Sequence, residues 1–578
     1  MRRNSKLNNF AERFASSNFF GCYDVKGISA KNARAFSSGG AARAIRFISR
    51  LLAYTPMRVY GFAALTFGLL TIVLHLGEYY FLDNPQVEAA SLILGAAFSL
   101  LSIFLLISDK PICIALQSFK VTDFIFFEFF LIGRMRKKTD ERGLPMILGI
   151  AFGFLLAVIG FFAPTLYVSL VVLGILFASI AMISPEFCFI SSILISPYAT
   201  LIPHSSGRLA ALSILTLLSF ARKVVVGKRV YSVEIYDVLI LLLTVAVLLA
   251  GVVLGGGAST EPALGIICLL LGYIPAANLA VNRRLCDAIV AAVVISSIPS
   301  ALYAAVSYVV RLVQNSRSAS LAWFSSVEAL SAYLCVALII STYMFFEKRH
   351  KFKKVLCLFA AFVNALALIS TQHLELTVAF PIVLLAFVII RSKRMPKILL
   401  LALLLIPYAI LFLPSGALDV ISKYLHASPN LSEISESVIK SAELFRDNFL
   451  LGIGANPLGE AACGTYLSVA CRFGIISAVV LFLIVLMRII HLNAYTRFFS
   501  STLVGFHVEM AVLAPLAMLL IGSYANIFED LNMVYFFVVI FGMGSAAMRI
   551  SRKERDLLGS YYRDSRSISS SAIDINLK

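Results

Sequence analysis

TYLSVACRFGIISAVVLFLIVL, residues 465–486, is a run of 22 residues with one charged side chain, Arg472. An α-helix needs about 20 predominantly apolar residues to cross the hydrocarbon core of a membrane. Comparable blocks recur along the chain, in which 60% of the residues are apolar and 14% are charged, with a mean hydropathy of +0.91. A soluble domain carries about a quarter charged residues. The sequence therefore predicts an all-α, polytopic membrane bundle.

The apolar blocks predict about 14–16 transmembrane helices. The block at 209–221 is so short that a half-helix is expected there. The stretch 112–133 places Lys120, Asp123 and Glu128 in an aromatic run, which is typical of an interfacial helix. The sixteen predicted spans cover residues 59–77, 89–107, 146–162, 165–183, 186–202, 209–221, 236–254, 263–281, 288–310, 327–346, 355–371, 377–390, 398–414, 464–487, 503–521 and 532–548.

The distribution of Lys and Arg predicts the orientation of the membrane domain, residues 59–548. With a cytoplasmic N terminus, 42 of the 49 basic residues fall on the inner side and seven on the outer side, as the positive-inside rule requires. Both termini are then cytoplasmic, and residues 549–578 form a basic cytoplasmic tail. The long outer loop covers residues 415–463.

The tail 1–58 contains eleven Lys or Arg residues among small and polar ones, so it is predicted to be disordered. Basic tails of this kind contact anionic lipid headgroups and fix topology. The net charge of +18 therefore predicts membrane lipid, and not nucleic acid, as the partner. The first span begins near Val59, so no cleavable signal peptide is expected.

An amphipathic helix is predicted within the outer loop. Asn430 followed by Glu433 resembles a capping box, and apolar residues then recur at helical spacing. On the outer membrane surface, such a helix would either cap the bundle or cover a lipid-linked substrate. Its apolar face comprises Leu431, Ile434, Val438, Phe445 and Phe449.

Neither a metal site nor a structural disulfide is predicted, because the nine cysteines are scattered without a CxxC pair or a Cys/His cluster. Nucleotide-binding fingerprints are absent, and no cofactor is expected. The spans contain very few charged residues, so the charge relay of a proton-coupled transporter is not predicted.

Cations on the outer face are the candidates for a binding site, because arginine matches the geometry of phosphate. Arg472 is the best of them, since it lies about two turns inside its span, where reaching the headgroups is harder. His373, in the turn between spans 355–371 and 377–390, is a candidate base or donor; an exposed turn histidine is the alternative. The other arginines would contact a diphosphate or merely lipid headgroups: Arg208, Arg311, Arg317 and Arg446.

A tight turn is predicted before the span at 464–487, in GIGANPLGEAACG (452–464). Gly452 and Gly454 permit a close approach of the backbone, and Pro457 stops a helix.

Four further stretches follow one another along the chain: SPEFCFISSILISPYATLIP (184–203), EIYDVLILLLTVAVLLAGVV (234–253), LFRDNFLLGIGANP (444–457) and FEDLNMVYFFVVIFGMGSAAMR (528–549). Together with 465–486, these segments resemble in their order and residues the O-antigen ligase and polymerase family of bacterial envelope proteins. The resemblance covers roughly residues 145–550 in architecture, and 444–486 is its more specific part. It implies a protein of the bacterial cytoplasmic membrane that transfers or polymerises a glycan from a polyprenyl-diphosphate donor on the outer leaflet, without metal or nucleotide.

The chain departs from the motifs of that family. Members carry a His-Asn pair before Tyr-Leu, where this chain has Cys463, Gly464 and Thr465. The turn that carries Ser-Arg-Gly in the family reads STQHL (370–374) here, and Arg472 stands where relatives have an acid. Three interpretations stay open: an enzyme with a rearranged site, an inactive relative that partners other envelope-assembly membrane proteins, and a flippase or other transporter.

Overall fold

The computed structural model describes the chain in separate ranges. These are residues 23–25, 40, 43, 47, 51–81, 89–134, 143–201, 205–226, 228–254, 256–313, 323–347, 351–371, 431–456, 458, 464–499, 505–522 and 526–575. The chain forms two compact units. The smaller unit comprises Lys26–Cys188 and Leu218–Arg229, and the larger unit comprises Met1–Val25, Phe189–Leu217 and Val230–Lys578.

The main helices of the smaller unit are α1 Met57–Phe81, α2 Ala89–Leu106, α3 Ile112–Ser118, α4 Met146–Phe162 and α5 Thr165–Ile183. Helix α1 packs against α2 and α4. The buried face of α4 carries Gly149, Gly153 and Ala157, and such small side chains let neighbouring helices approach closely. Pro145 and Pro164 precede α4 and α5, where the missing N–H of proline costs no helical hydrogen bond.

The stretch 112–133 is not the single interfacial helix that the sequence predicts. It forms α3, a short turn of helix over Lys120–Thr122 and a π-helix over Asp123–Phe129. Phe119 separates α3 from the next segment with an extended backbone (φ −96°, ψ 126°). The prediction of one continuous helix is therefore wrong, because the chain turns at Phe119.

Helices α6 Pro185–Ile195 and α7 Ser205–Val225 run from one unit into the other. The larger unit continues with α8 Ile235–Leu248 and a π-helix Leu249–Leu254, then α9 Gly256–Leu271, α10 Tyr273–Leu279, α11 Arg283–Val313, α12 Val327–Glu347, α13 Lys351–Ser370, α14 Leu431–Asp447, α15 Thr465–Phe499, α16 Gly505–Gly522 and α17 Leu531–Ile575. Within the span Leu531–Glu554 of α17, 94% of the residues in the apolar 18-residue window are buried, so this part of α17 lies at the centre of the unit.

Eight helices in the described ranges are long and apolar enough to cross a membrane. They are Met57–Tyr80, Ala89–Leu106, Ile235–Val252, Ser259–Leu279, Arg283–Val310, Val327–Phe345, Thr465–Arg488 and Leu531–Glu554. Two shorter apolar helices are Met146–Phe162 and Tyr167–Ile183. The protein is thus an all-α, multi-pass membrane bundle, as predicted. The number of spans stays a prediction, since 377–390 and 398–414 lie outside the described residues.

Two sequence predictions are corrected by the larger unit and its connections. The expected half-helix at 209–221 is wrong, because α7 extends over 21 residues. Within the tail predicted to be disordered, Tyr23–Val25 forms a strand that pairs antiparallel with Tyr231–Val233. Tyrosine and valine at these positions favour extended structure. The prediction of disorder is therefore wrong for these three residues.

Candidate functional site

Helix α15 is broken at Gly474, whose φ of 77° and ψ of 175° are not helical. The break removes the carbonyl oxygens of Cys471 and Arg472 from the regular helical pattern. The N–H groups of Ile453 and Gly454, in the turn after α14, donate to these two oxygens at 3.0 and 2.8 Å. No water is present in a membrane core to satisfy such groups. The turn therefore replaces the missing helical hydrogen bonds.

Glycine is required on both sides of this contact. A Cβ atom on Gly474 would lie 2.0 Å from the carbonyl oxygen of Leu450, and one on Gly452 would lie 2.3 Å from that of Arg472. Gly452 and Gly454 also have positive φ angles of 71° and 83°, which L side chains rarely adopt. The turn glycines thus dock the chain into the broken helix. Pro457 lies outside the described residues.

Arg472 stands two residues before the break and is only 9% exposed. Its Nη2 atom lies 3.4 Å from Oε1 of Glu529, longer than the 2.7–2.9 Å typical of a charge-assisted hydrogen bond. Its Nε atom is buried, and among the residues that the structure describes it has no hydrogen-bond partner. Glu529 itself has a side chain that is 44% exposed. The guanidinium is thus held inside the protein but is incompletely paired.

A cavity of about 50 Å³ lies beside the Arg472 side chain. Its polar lining includes Ser468 and Asn526, and its apolar wall includes Val247, Ile266 and Phe537. Such a volume holds a few water molecules, whereas sites for small-molecule ligands measure about 300–1,000 Å³. A larger ligand therefore requires the residues around Arg472 to move.

The loop that carries Glu529 has one hydrogen bond within it and is fixed to other segments at two points. The Asn526 amide donates to Oε2 of Glu529 at 3.3 Å, and the N–H of Ile527 donates to the Thr465 hydroxyl at 3.0 Å. The buried carboxylate of Asp530 accepts hydrogen bonds from the N–H and the hydroxyl of Ser325, each at 2.8 Å. The loop therefore joins the starts of α12, α15 and α17, and it places Glu529 opposite Arg472.

Helix α14 occupies the position of the predicted amphipathic helix. The side of α14 that packs against α15 carries the small residue Ser441, which is buried. The Cys471 thiol donates to the carbonyl oxygen of Ser441 at 3.2 Å. Val438 and Phe449, which belong to the predicted apolar face, remain exposed. Val438 and Phe449 are therefore available to a membrane surface. Asn430, the predicted cap, lies outside the described residues.

The remaining candidates do not line the Arg472 cavity in the part of the chain that the structure describes. Arg208 is exposed on α7, and Arg446 is exposed on α14. The side chain of Arg311 lies outside the described residues, as do Arg317 and His373. Among the described candidates, Arg472 is thus the buried one.

A second polar cluster, which sequence reasoning missed, lies at the start of α8 and within α15 and α17, several turns from Arg472. Arg488 is fully buried, and its guanidinium carbon lies 4.5 Å from the ring centres of both Tyr236 and Phe541. It donates to the Phe541 carbonyl and, at 2.5 Å, to the Ser545 hydroxyl. The sequence predicts very few charged residues within the spans, yet Arg488 is the last residue of the span Thr465–Arg488. It directly follows the predicted span 464–487, so the sequence pattern does not single it out.

Neighbouring side chains extend this cluster. Arg549 forms an ion pair with Glu234 at 3.2 Å and donates to the Asn278 amide oxygen at 2.8 Å. His491 stacks on Tyr236, with its Nδ1 atom 3.2 Å from the Tyr236 hydroxyl. Burial and the nearby Arg488 and Arg552 lower the pKa of His491 to about 3, so the imidazole is neutral at physiological pH.

No group of three or more His, Cys, Asp or Glu side chains in the described ranges could hold a metal ion. Seven cysteines lie in those ranges, and none of them is in a disulfide there. Comparison of the chain with protein-family models, with curated proteins and with solved structures finds no match. The resemblance to the O-antigen ligase and polymerase family therefore rests on the quoted residues.

Proposed function

We propose that this protein transfers or polymerises a glycan from a polyprenyl-diphosphate donor on the outer leaflet of the bacterial cytoplasmic membrane, as the O-antigen ligase and polymerase family does. The observation that supports the proposal is the buried, incompletely paired guanidinium of Arg472. Within the described part of the chain its Nε has no partner and its contact with Glu529 is long, which leaves donors for an anionic group. A guanidinium offers phosphate two parallel hydrogen bonds.

The surroundings of Arg472 suit a lipid-linked diphosphate. Leu243, Val247, Ile266 and Leu270 form the apolar wall of the cavity on α8 and α9, and they would contact a polyprenyl chain once the cavity opens. Arg472 lies at the end of the larger unit that the charge distribution predicts to be outside. In this position a diphosphate would face the outer side while its lipid stays in the membrane.

The transfer step follows from these groups. The oxygen of an acceptor hydroxyl attacks the anomeric carbon of the donor sugar, and the bond between that carbon and the diphosphate oxygen breaks. The leaving diphosphate takes the electron pair, and Arg472 stabilises its added negative charge. Glu529, once displaced from Arg472, accepts the proton of the hydroxyl.

A second candidate function is a catalytically inactive membrane partner in polysaccharide assembly. Two observations favour it: the cavity measures only about 50 Å³, and Glu529 already offsets the charge of Arg472. The chain also lacks the His-Asn pair that relatives carry. In this case Arg472 and Glu529 would serve only to hold the loop 526–530 against α15.

Substitution of Arg472 separates the two candidates. In a bacterial strain lacking its own copy, Arg472→Ala should abolish glycan extension or transfer, seen as a loss of long chains on a gel of extracted polysaccharide. Arg472→Lys should retain part of the activity, because the charge stays but the forked geometry is lost. Arg284→Ala, which removes an exposed arginine at the start of α11 that is not among the site candidates, is the matched control. His373→Ala tests the other predicted candidate in the same assay.

Glu529→Gln tests the proposed base. It removes the proton acceptor but keeps the size of the side chain, so glycan extension should fall. An unchanged distribution of chain lengths in Arg472→Ala, at a normal protein level in the membrane, would refute the enzymatic function and favour the inactive partner.

A further inference from the structure

Three aromatic rings meet near the start of α12. Trp323, the single tryptophan of the chain, stacks against Tyr303 with ring centres 4.8 Å apart and an interplanar angle of 28°. Tyr198 meets Trp323 edge-on, with ring centres 5.3 Å apart. Tyr303 is 49% exposed, whereas Trp323 and Tyr198 are half-buried. Tyr303 is thus the outermost ring of an ordered stack.

The backbone at Trp323 is in an unusual conformation. Its φ angle is 71°, which bulky residues rarely adopt unless the surrounding structure enforces it. Two anchors follow directly along the chain. Phe324 is buried against Tyr333, with ring centres 5.2 Å apart, and Ser325 is hydrogen-bonded through its N–H and hydroxyl to Asp530. The position of the Trp323 ring is therefore set by the fold.

The same anchor connects the aromatic stack with the Arg472 cavity. Asp530 directly follows Glu529, which pairs with Arg472. The loop 526–530 therefore holds the turn of Trp323 on one side and contacts Arg472 on the other. Both features lie at the same end of the larger unit. A ligand whose charged group binds at Arg472 would extend at the level of the aromatic stack.

We propose that Tyr303, backed by Trp323, is a stacking platform for a sugar ring of the glycan. One face of a pyranose presents C–H groups of partial positive charge, which pack favourably on the electron-rich face of an aromatic ring. The identity of this ligand rests on the proposed function. Aromatic residues that only anchor a protein at the membrane surface need no fixed orientation, whereas here the backbone of Trp323 and the buried Asp530 carboxylate impose one.

The single tryptophan permits a direct test. With excitation at a wavelength that selects tryptophan, the emission of the purified full chain in lipid nanodiscs assembled with a tryptophan-free scaffold reports on Trp323 alone. Titration with oligosaccharides released from the envelope polysaccharide of the source organism should give a saturable change in emission. Tyr303→Leu should weaken binding by about three- to tenfold, and Tyr303→Phe should bind normally because it retains the ring.

Two controls accompany the titration. Tyr80→Leu removes another exposed tyrosine, which pairs edge-on with Tyr79 at 5.4 Å, and it should leave the titration unchanged. Nanodiscs with brominated lipids test for contact between Trp323 and the bilayer, because bromine quenches tryptophan emission. Bound oligosaccharide should reduce this quenching.

The proposal is overturned if no oligosaccharide changes the emission, or if Tyr303→Leu binds as tightly as the unsubstituted protein. Lipid quenching that persists at saturating oligosaccharide would also overturn it and identify the stack as a membrane anchor. These outcomes are distinct from failure of the proposed function. Saturable binding together with normal glycan extension in Arg472→Ala would retain the platform and reject the transferase.

Discussion

The guanidinium carbon of Arg488 lies 4.5 Å from the ring centre of Tyr236, and the ring of Phe541 lies at the same distance. A fully buried cation is costly to desolvate, and two aromatic faces offset part of that cost. The three residues belong to α15, α8 and α17, so the charge connects three helices at one end of the larger unit.

Removal of this cation should destabilise the protein. Arg488→Ala removes the donor to the Phe541 carbonyl and the Ser545 hydroxyl and leaves a cavity between the two rings, so we expect a loss of ~2–5 kcal/mol in the free energy of unfolding. Arg488→Lys should also be destabilising, because an ammonium lacks the planar shape that fits between two rings. Thermal unfolding in detergent measures both effects. Arg446→Lys, at an exposed position, should unfold like the unsubstituted protein; equal melting of Arg488→Lys would contradict the stacking argument.

Stability should fall in acid because of His491. Its pKa is lowered to about 3 in the folded protein, against about 6.5 in the unfolded chain. Between these values the unfolded chain binds the proton more strongly, so stability decreases as the pH falls below about 6.5, by about 1.4 kcal/mol per pH unit. Melting temperatures measured from pH 7 to pH 4 test this expectation. His491→Gln should reduce the slope, and an identical slope in both proteins would contradict the assignment.

Gly474 should tolerate no side chain. Gly474→Ala would place a Cβ atom 2.0 Å from the Leu450 carbonyl oxygen in a backbone with φ of 77°, so we expect at least ~1–3 kcal/mol of destabilisation. Membrane abundance and thermal unfolding measure it. Gly207→Ala is the matched control, since a Cβ atom there meets nothing within 4 Å. Similar melting of the two variants would show that the turn does not dock as described.

Asp530 should control the environment of Trp323. Asp530→Ala removes the acceptor for two hydrogen bonds from Ser325, each worth ~1–3 kcal/mol when its loss leaves a buried group unpaired. We expect the turn at Trp323 to loosen, with a red shift of the emission and a lower anisotropy. Asp447→Ala, at an exposed site on α14, should leave the spectrum unchanged. An unaltered spectrum in Asp530→Ala would contradict the role of this anchor.

Local sequence signals were sufficient for many of the helices. The spans predicted at 146–162 and 165–183 coincide with α4 and α5, because a proline precedes each one and an apolar block fills the rest. The prediction of a half-helix at 209–221 is wrong because the apolar block there is shorter than the helix that contains it. Polar residues at both ends of α7, including Arg222 and Lys223, shortened the apolar block without ending the helix.

The sites depended on contacts that a linear pattern does not contain. Gly474 is one glycine within an apolar run, and only the backbone of 449–454 shows why the helix breaks there. Arg488, Glu234 and Arg549 stand at the ends of different predicted spans, so their convergence needs the packing of three helices. Arg472 could be singled out because a charge two turns inside a span is unusual. Its partner Glu529, in a loop more than 50 residues later, could not.

The docked turn at Gly474 has a consequence for how the protein is made. Its hydrogen bonds join residues 18 to 26 positions apart, and loops of this size close in far less than a millisecond. The ribosome adds one residue in roughly a tenth of a second. The turn at 449–454 has therefore been synthesised before its partner in α15, and we expect the contact to form within one or two elongation steps after that partner is released. We therefore expect the hydrogen bonds at the break in α15 to form during synthesis, before α17 is available.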